Sequence, residues 1–385
     1  MEAMHRLDDE ARWLSDRIRQ IESSGIRRVF DLAARLRDPI DFSIGQPDFP
    51  VPEPVRAAAH RAIDEGWTRY TPTQGIALLR EKVAEKLRRV NGIPADAETV
   101  LITAGSSGGI FLAFAALLDP GDEIIMTDPY FVMYPQLAAF FGARSVFVDT
   151  YPDFQLDPER VAAAITPRTK AIIINTPNNP TGAVYAEATL RALAEVADRH
   201  GLPVIADEVY EVFTYDQPHV SIGSFYPRTI TLNAFSKSHA LTGWRIGYAT
   251  GPRAIIEKMK ELQQYTFVCA PAIAQVAALA ALACDTRDLA RAYAARRDLI
   301  YHGLRDLFPV TRPSGAFYIM PQVPGDATAF CERALAHNLL VIPGGVFSRR
   351  NTHIRISYAT TVEKIQQGLA VLRTLAAEYG PVAAG

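Results

Sequence analysis

Short apolar runs alternate with helical stretches along the chain between residues 99 and 250. Each run holds about four residues, many of them β-branched, and a longer segment of helical periodicity separates it from the next. Runs of this kind are typical of buried strands in a mostly parallel sheet, since helices then cover both faces. The runs cover residues 100–103, 123–126, 145–148, 171–174, 203–206, 229–232 and 246–249. We therefore predict an α/β fold, with a three-layer large domain built on a mostly parallel seven-stranded sheet.

A different pattern follows Cys284 and indicates a smaller α+β domain. It contains a charged helix, three short strands and a closing helix, predicted over residues 285–307, 317–320, 339–342, 354–358 and 362–377.

The two patterns together predict the domain organisation. We expect a large domain over residues 46–285, and a small domain that combines residues 1–45 with residues 286–385. Residues 8–34 are amphipathic with a helical period that is broken near Ser23 and Gly25, and we expect this early segment to pack with the small domain.

The composition of the chain argues against several classes of binding partner and site. The chain has 40 Lys and Arg against 42 Asp and Glu, a net charge of −2, which gives no support to a nucleic-acid or anionic-membrane partner. The three cysteines are too few and too scattered for a disulfide framework or a zinc site, and no metal site is predicted. The N-terminus lacks the apolar run of a signal peptide, and no segment reaches the roughly 20 apolar residues of a membrane span. A soluble cytoplasmic protein is expected.

In a parallel sheet a ligand binds beyond the carboxyl ends of the strands, so the residues after each run matter most. The first run is followed by Gly105, Ser106, Ser107, Gly108 and Gly109, at the start of an apolar helix. Free N–H groups and the helix dipole at such a start can hold a phosphate, although a plain turn would give the same pattern.

The same five residues also fit G-x-S-x-G, the nucleophile elbow of serine hydrolases. Asp207 and His353 lie downstream and could complete a triad. A serine hydrolase that uses residues 105–109 is therefore an alternative function, but it leaves the later motifs unexplained.

Three further strand ends carry polar motifs. Residues 175–182 form a loop rich in Asn and Pro, Asp207 directly follows a buried strand, and Lys237 lies among small residues between two apolar runs. A buried carboxylate needs a partner, and a lysine in such a place can have a lowered pKa, as Schiff-base chemistry requires. Arg245, eight positions after Lys237, can clamp a phosphate. Taken singly, each motif has a structural reading: a turn, a helix cap or a structural lysine.

Together these motifs resemble the class I/II aminotransferases, which are fold type I enzymes dependent on pyridoxal 5′-phosphate (PLP). The resemblance runs from about residue 41 to residue 358. Its most specific motifs are PNNPTG at residues 177–182, DEVY at residues 207–210, and Ser236-Lys237 followed by GWRIG at residues 243–247.

The resemblance implies a set of cofactor-binding and catalytic residues. Lys237 would form the Schiff base with PLP and move the substrate proton, and Asp207 would pair with the pyridine nitrogen. Tyr210 and Asn179 would bind the phenolic oxygen of the cofactor, and Phe131 would stack on its ring. The phosphate would be held by Gly105, Ser106, Ser107 and Arg245.

The resemblance also implies how substrate and partner subunit bind. Arg355 would clamp the α-carboxylate, with Gly45 and Asn179 beside it. Tyr70 would reach the phosphate of a partner subunit, so that a homodimer shares its active sites. Many relatives carry Ser where this chain has Ala234, which predicts one fewer phosphate hydrogen bond.

An aminotransferase that moves an amino group from an L-amino acid to a 2-keto acid is the favoured reaction, and a PLP-dependent C–S β-lyase on the same fold is the alternative. Some aspartate-specific relatives place a Lys where this chain has Ser107. The expected pocket draws on Phe49, Tyr70, Phe131 and the loop at residues 344–347. Its apolar character favours neutral amino acids, although an Arg from the partner subunit could serve an acidic substrate.

Overall fold

The computed structural model describes residues 10–23, residue 25 and residues 36–379. Residues 8, 9, 24 and 26–34 of the predicted helical segment 8–34 therefore lie outside the described residues. Within the described part of that segment, residues Ala11–Trp13 form a 3-10 turn and Asp16–Arg19 form a short helix, α1.

The strands follow the apolar runs of the sequence. They are β1 (Ile40–Asp41), β2 (Val100–Thr103), β3 (Glu123–Asp128), β4 (Arg144–Asp149), β5 (Thr169–Asn175), β6 (Val204–Asp207), β7 (Thr229–Ala234), β8 (Gly247–Thr250), β9 (Tyr318–Ile319), β10 (Leu339–Leu340), β11 (Ile342–Pro343) and β12 (Ile354–Ser357).

The helices lie mainly between these strands. They are α2 (Glu53–Asp64), α3 (Ala77–Val90), α4 (Gly105–Leu117), α5 (Met133–Phe140), α6 (Pro158–Ala164), α7 (Glu187–Arg199), α8 (Phe235–Ser238), α9 (Arg253–Thr266), α10 (Ala272–Ala281), α11 (Arg287–Leu304), α12 (Ala327–Ala336) and α13 (Val362–Tyr379). None of the described helices is both long and apolar enough to cross a membrane.

Seven strands form one large sheet in the order β2-β8-β7-β6-β5-β3-β4. Strands β3 to β7 run parallel to one another, and only β8 runs antiparallel to its neighbours, β2 and β7. This arrangement confirms the predicted mostly parallel seven-stranded sheet.

Alternate residues of the central strands face opposite helical layers, as the two-residue period of a strand requires. In β5, Ile172 and Ile174 pack in the cluster that contains Leu190 and Leu193 of α7. Ile173 packs on the other face in the cluster that contains Phe114 of α4 and Met259 of α9. Helices thus cover both faces, and the three-layer α/β architecture is confirmed.

The remaining strands belong to two small sheets. Strands β11, β12 and β9 form an antiparallel sheet, and β1 pairs in parallel with β10. The predicted single strand over residues 339–342 is therefore two strands in different sheets, because the chain changes partner at Val341. The predicted division at residues 45/46 and 285/286 stays a prediction.

Candidate active site

A cavity of about 240 Å³ lies at the carboxyl ends of the central strands. This is the edge where a parallel sheet is expected to bind its ligand. Ten of the predicted site residues line it: Gly45, Ser106, Ser107, Phe131, Asn179, Asp207, Tyr210, Lys237, Arg245 and Arg355. A larger cavity of about 800 Å³ is lined by residues such as Leu335 and Val341. It contains Gly345 and Val346 of the loop predicted to line the substrate pocket, but none of the residues predicted to bind the cofactor or the α-carboxylate.

Lys237 lies in α8, the short helix that follows β7. Its Nζ donates a hydrogen bond of 2.7 Å to the carbonyl oxygen of Gly45. Burial and the positive charges of Arg355 and Arg245 lower the pKa of Lys237 to about 8. A substantial share of the amine is therefore neutral near pH 8, which is the form that attacks a carbonyl carbon.

Asp207 is the last residue of β6 and is 4% exposed. Its Oδ2 accepts a hydrogen bond of 2.7 Å from Tyr134 Oη, and its Oδ1 accepts a longer one of 3.4 Å from the Val209 amide. Burial raises the pKa of Asp207 to about 6, although the hydrogen bond from Tyr134 opposes the rise. Such a carboxylate is well suited to a cationic ligand atom, since a positive partner would offset the cost of its burial.

The loop after β5 is fixed by its own amides. Asn175 donates from Nδ2 to the Asp207 carbonyl at 2.9 Å, and its Oδ1 accepts the amide N–H of Asn179 at 2.7 Å. Asn179 in turn accepts a hydrogen bond of 3.1 Å from Nη1 of Arg355. The strand end thus holds Asn179 and Arg355 together at the cavity wall.

Arg355 is in β12 and is 1% exposed. Its Nη2 donates to the Ser43 carbonyl, and its guanidinium packs on the rings of Phe347 at 4.5 Å and Tyr318 at 4.8 Å. Its Nε has no hydrogen-bond partner among the described residues. A buried guanidinium in this state is stabilised by an anion, as a carboxylate substrate would provide.

The opposite part of the cavity is built for a phosphate. Gly105 begins α4 with a φ of +71°, and a Cβ there would lie 2.6 Å from Nη2 of Arg245. Arg245 itself has a φ of 55°, unusual for a residue other than glycine, and its Nη1 donates to the Thr242 carbonyl at 2.9 Å. Ser106 and Ser107 follow at the helix start, where N–H groups are free to bind an anion. The residues present therefore fit a PLP molecule together with an amino-acid carboxylate.

Tyr210 and Tyr318 face each other, with their hydroxyl oxygens 2.8 Å apart. Burial raises the pKa of both hydroxyl groups. A Cβ on Gly45 would overlap the Tyr318 hydroxyl, so glycine is needed for this close approach.

Sequence reasoning missed several cavity residues. Five further residues line the cavity: Asn175, Val209, Ser236, Thr242 and Tyr318. Tyr134 was also missed, although it binds Asp207. Asn175, Val209 and Ser236 lie inside motifs that the sequence had marked, whereas Thr242 and Tyr318 do not. A tyrosine within an apolar pattern gives no signal that separates it from ordinary core.

Some predicted residues lie elsewhere. Tyr70 is 84% exposed and lines a separate surface groove with Trp67, so its role toward a partner subunit stays a prediction. Phe49 does not line the cavity but packs edge-on against Tyr293. Ala234 is buried and lines a neighbouring cavity instead.

The hydrolase triad is not assembled. His353 does not line the cavity that contains Ser107 and Asp207. Its Nδ1 is 2.9 Å from Thr352 Oγ1, and its ring packs on Tyr151 at 4.9 Å.

Comparisons with known proteins agree with this site. The sequence model of the family described as "Aminotransferase class I and II" matches residues 37–372. A probable aspartate/prephenate aminotransferase of Thermus aquaticus is 43% identical, over 93% of this chain and 98% of its own length. A probable aspartate aminotransferase of Methanocaldococcus jannaschii is 40% identical, over 94% of this chain and 99% of its own length.

Solved structures give the same result. The aspartate aminotransferase of Thermus thermophilus with maleate has a TM-score of 0.90 and 41% identity, covering 94% of this chain and 99% of its own. The aromatic aminotransferase of Pyrococcus horikoshii has a TM-score of 0.86 and 36% identity, covering 91% of this chain and 99% of its own. These relatives favour neither the β-lyase nor the hydrolase alternative. The chain therefore belongs to the class I and II aminotransferases, and it is a PLP-dependent enzyme that transfers amino groups.

Proposed function

We propose that the protein transfers the amino group of a neutral, especially aromatic, L-amino acid to a 2-keto acid. The observation that carries this proposal is the set of charges around the cavity. Among the described residues that line it, the positively charged side chains are Lys237, Arg245 and Arg355. The proposed roles occupy all three, so a second substrate carboxylate would be buried without a partner, which is costly.

In this proposal Arg355 binds the α-carboxylate of the substrate. Its Nη1 is already fixed by Asn179, and its free Nε is left for the ligand. A guanidinium held in this way presents a fork that matches a carboxylate. The rings of Phe347 and Tyr318 pack on the guanidinium and hold it in place at the carboxylate end of the cavity.

The cofactor would be held at five points by residues of this chain. Lys237 would bond to it covalently, Asp207 would face its ring nitrogen, Tyr210 and Asn179 would bind its phenolic oxygen, and Phe131 would stack on its ring. Its phosphate would be held by Gly105, Ser106, Ser107 and Arg245. When bound, PLP supplies the electron sink for the bonds at the substrate Cα.

Lys237 would then move the proton. Once the substrate amine has displaced it from the cofactor, the Nζ of Lys237 would be free to take the proton from the substrate Cα and to return it, acting as general base and general acid. A pKa near 8 suits both roles, because neither form of the amine is strongly favoured at the working pH.

Aspartate is the second candidate donor, favoured by the names of the relatives, which include aspartate and aspartate/prephenate aminotransferases. It would require a cation from outside this cavity. Arg69 precedes the exposed Tyr70 and lines the same surface groove, so in a homodimer it could accompany Tyr70 to the partner subunit's site. We propose this homodimer as the working assembly.

The test is an absorbance scan of the PLP-loaded protein with a panel of L-amino acids in the absence of a keto acid. We expect phenylalanine or tyrosine to change the cofactor spectrum, and a 2-keto acid to reverse the change. The Lys237→Ala variant should show no such spectral change. If only aspartate changes the spectrum, and the Arg69→Ala variant no longer shows that change, aspartate replaces the aromatic amino acid as the proposed donor. Release of pyruvate and ammonia from cysteine-like substrates would point to lyase activity instead.

A further inference from the structure

One wall of the cavity is main chain rather than side chain. Residues 43–49 pass beside the site, and two of their carbonyl oxygens accept hydrogen bonds from functional residues. The Ser43 carbonyl accepts from Arg355 Nη2, and the Gly45 carbonyl accepts from Lys237 Nζ at 2.7 Å. The position of this segment therefore affects both Arg355 and Lys237.

The far end of the segment is anchored to α11 through Asp48. Oδ1 of Asp48 accepts hydrogen bonds from Tyr293 Oη at 2.6 Å and from Arg296 Nη1 at 2.7 Å. The side chains of Asp48 and Arg296 are each 20% exposed, so solvent screens this pair only in part. The Arg296 guanidinium also lies over the Tyr293 ring, 4.9 Å from its centroid.

Tyr293 joins this anchor to the site. Its ring is 1% exposed and packs against Phe317 with centroids 5.5 Å apart. Phe317 packs on Tyr318 at 5.0 Å, and Tyr318 lines the cavity beneath Gly45. Tyr293 therefore contacts the segment directly at Asp48, and it also supports, through Phe317, the Tyr318 ring that lies against Gly45.

We propose that Asp48 is a positioning residue for the amino-acid substrate: through Tyr293 and Arg296 it fixes residues 43–49, and so the orientation of Arg355 at the carboxylate end of the cavity. The inference rests on the proposed role of Arg355 in binding the α-carboxylate. Asp48 itself does not line the cavity, so it acts only through the position of residues 43–49. We expect the effect mainly at Arg355, because the contact between Gly45 and Lys237 belongs to the free amine, which the cofactor would take up when bound.

The test compares Asp48→Ala with Asp38→Ala, a control at an exposed ion pair. Asp38 also anchors the early segment to a helix, since its Oδ1 accepts from Lys364 Nζ of α13 at 2.8 Å, but it lies outside the cavity wall. We expect Asp48→Ala to raise KM for the amino donor about tenfold with kcat within roughly twofold, because both hydrogen bonds that anchor the segment beside Arg355 are lost. Asp38→Ala should change neither value.

Two further variants separate positioning from general damage. Asp48→Asn keeps an acceptor for Tyr293 and Arg296, so it should restore most of the KM. Tyr293→Phe removes the hydroxyl that donates to Asp48 Oδ1 and accepts from the Asp48 amide N–H at 3.4 Å, so it should raise KM. The double variant with Asp48→Ala should add little, since both changes act through the same contact. Hydrogen exchange of the cofactor-free protein should show faster exchange in residues 43–49 for Asp48→Ala than for Asp38→Ala.

The outcomes are distinguishable from those of the proposed function. If the wild type reacts with an amino donor and Asp48→Ala leaves KM unchanged, the inference alone is wrong. An equal loss of thermal stability and kcat in both alanine variants would also overturn it. A wild type that reacts with no amino acid in the panel overturns the proposed function and this inference together.

Discussion

The hydroxyl of Tyr134 donates a hydrogen bond of 2.7 Å to Oδ2 of Asp207. Tyr134 lies in α5, and the bond stabilises the ionised carboxylate at the end of β6. Tyr134 therefore supports the charge that is proposed to face the ring nitrogen of the cofactor, without lining the cavity itself.

Loss of this hydroxyl should weaken cofactor binding. Tyr134→Phe removes one hydrogen bond to a charged group, about 1.5–3 kcal/mol, so the Kd for PLP should rise at least tenfold at pH 7. Tyr226→Phe is the matched control, because its buried hydroxyl donates to the Leu202 carbonyl away from the cavity. Equilibrium dialysis of both variants measures the difference, and equal Kd values would contradict the role of Tyr134.

Asp207 should also limit the stability of the cofactor-free protein. Its folded pKa of about 6 is above the ordinary value of 3.8, so its favourable contribution is present at low pH and is lost as the pH rises through 6. Asp207→Asn cannot ionise, and at pH 8 it should exceed the wild type by on the order of 1–3 kcal/mol. Urea unfolding at pH 5 and pH 8 tests this, and a gap between the two proteins that does not grow with pH would refute it.

The sequence predicted the strands well because apolar runs report burial. The predicted ends of the strands were less accurate. The apolar run at 229–232 belongs to a strand that continues to Ala234, because backbone pairing with β8 extends past the apolar residues. Gly105, Asn179 and Lys237 could be predicted because strand ends meet at one edge of a parallel sheet. Tyr134 and Tyr318 could not, because each reaches the site through a contact between distant elements.

The placement of Ser236 and Ala234 predicts that only changes at Ser236 affect cofactor binding. Ser236 lines the site, so Ser236→Ala should raise the Kd for PLP up to about tenfold, the value of one hydrogen bond. Ala234 lines the neighbouring cavity, so Ala234→Ser should leave the Kd within roughly twofold. Tighter binding in Ala234→Ser would instead support the phosphate contact that the family resemblance implies at this position.

The rate of covalent attachment of PLP should follow the ionisation of Lys237. Its pKa of about 8 means that the neutral fraction rises about tenfold for each pH unit below 8 and levels off above it. Arg355→Gln removes a nearby positive charge and should move the midpoint to higher pH, whereas Arg160→Gln on the surface should not. Stopped-flow absorbance gives the midpoint, and a midpoint near 10 in the wild type would show that the burial of Lys237 has little effect.

Tyr70 provides a direct test of a shared active site. If Tyr70 acts only in the partner's site, Tyr70→Ala and Lys237→Ala proteins are each impaired. Subunit exchange between them then creates hybrid dimers in which one site has both an intact lysine and an intact tyrosine. Half of the dimers would be hybrids with one working site of two, so activity should recover to about a quarter of the wild-type value. If Tyr70 instead served the site of its own chain, no hybrid site would be complete, and mixing would restore nothing. The exposure of Tyr70 in the single chain favours recovery.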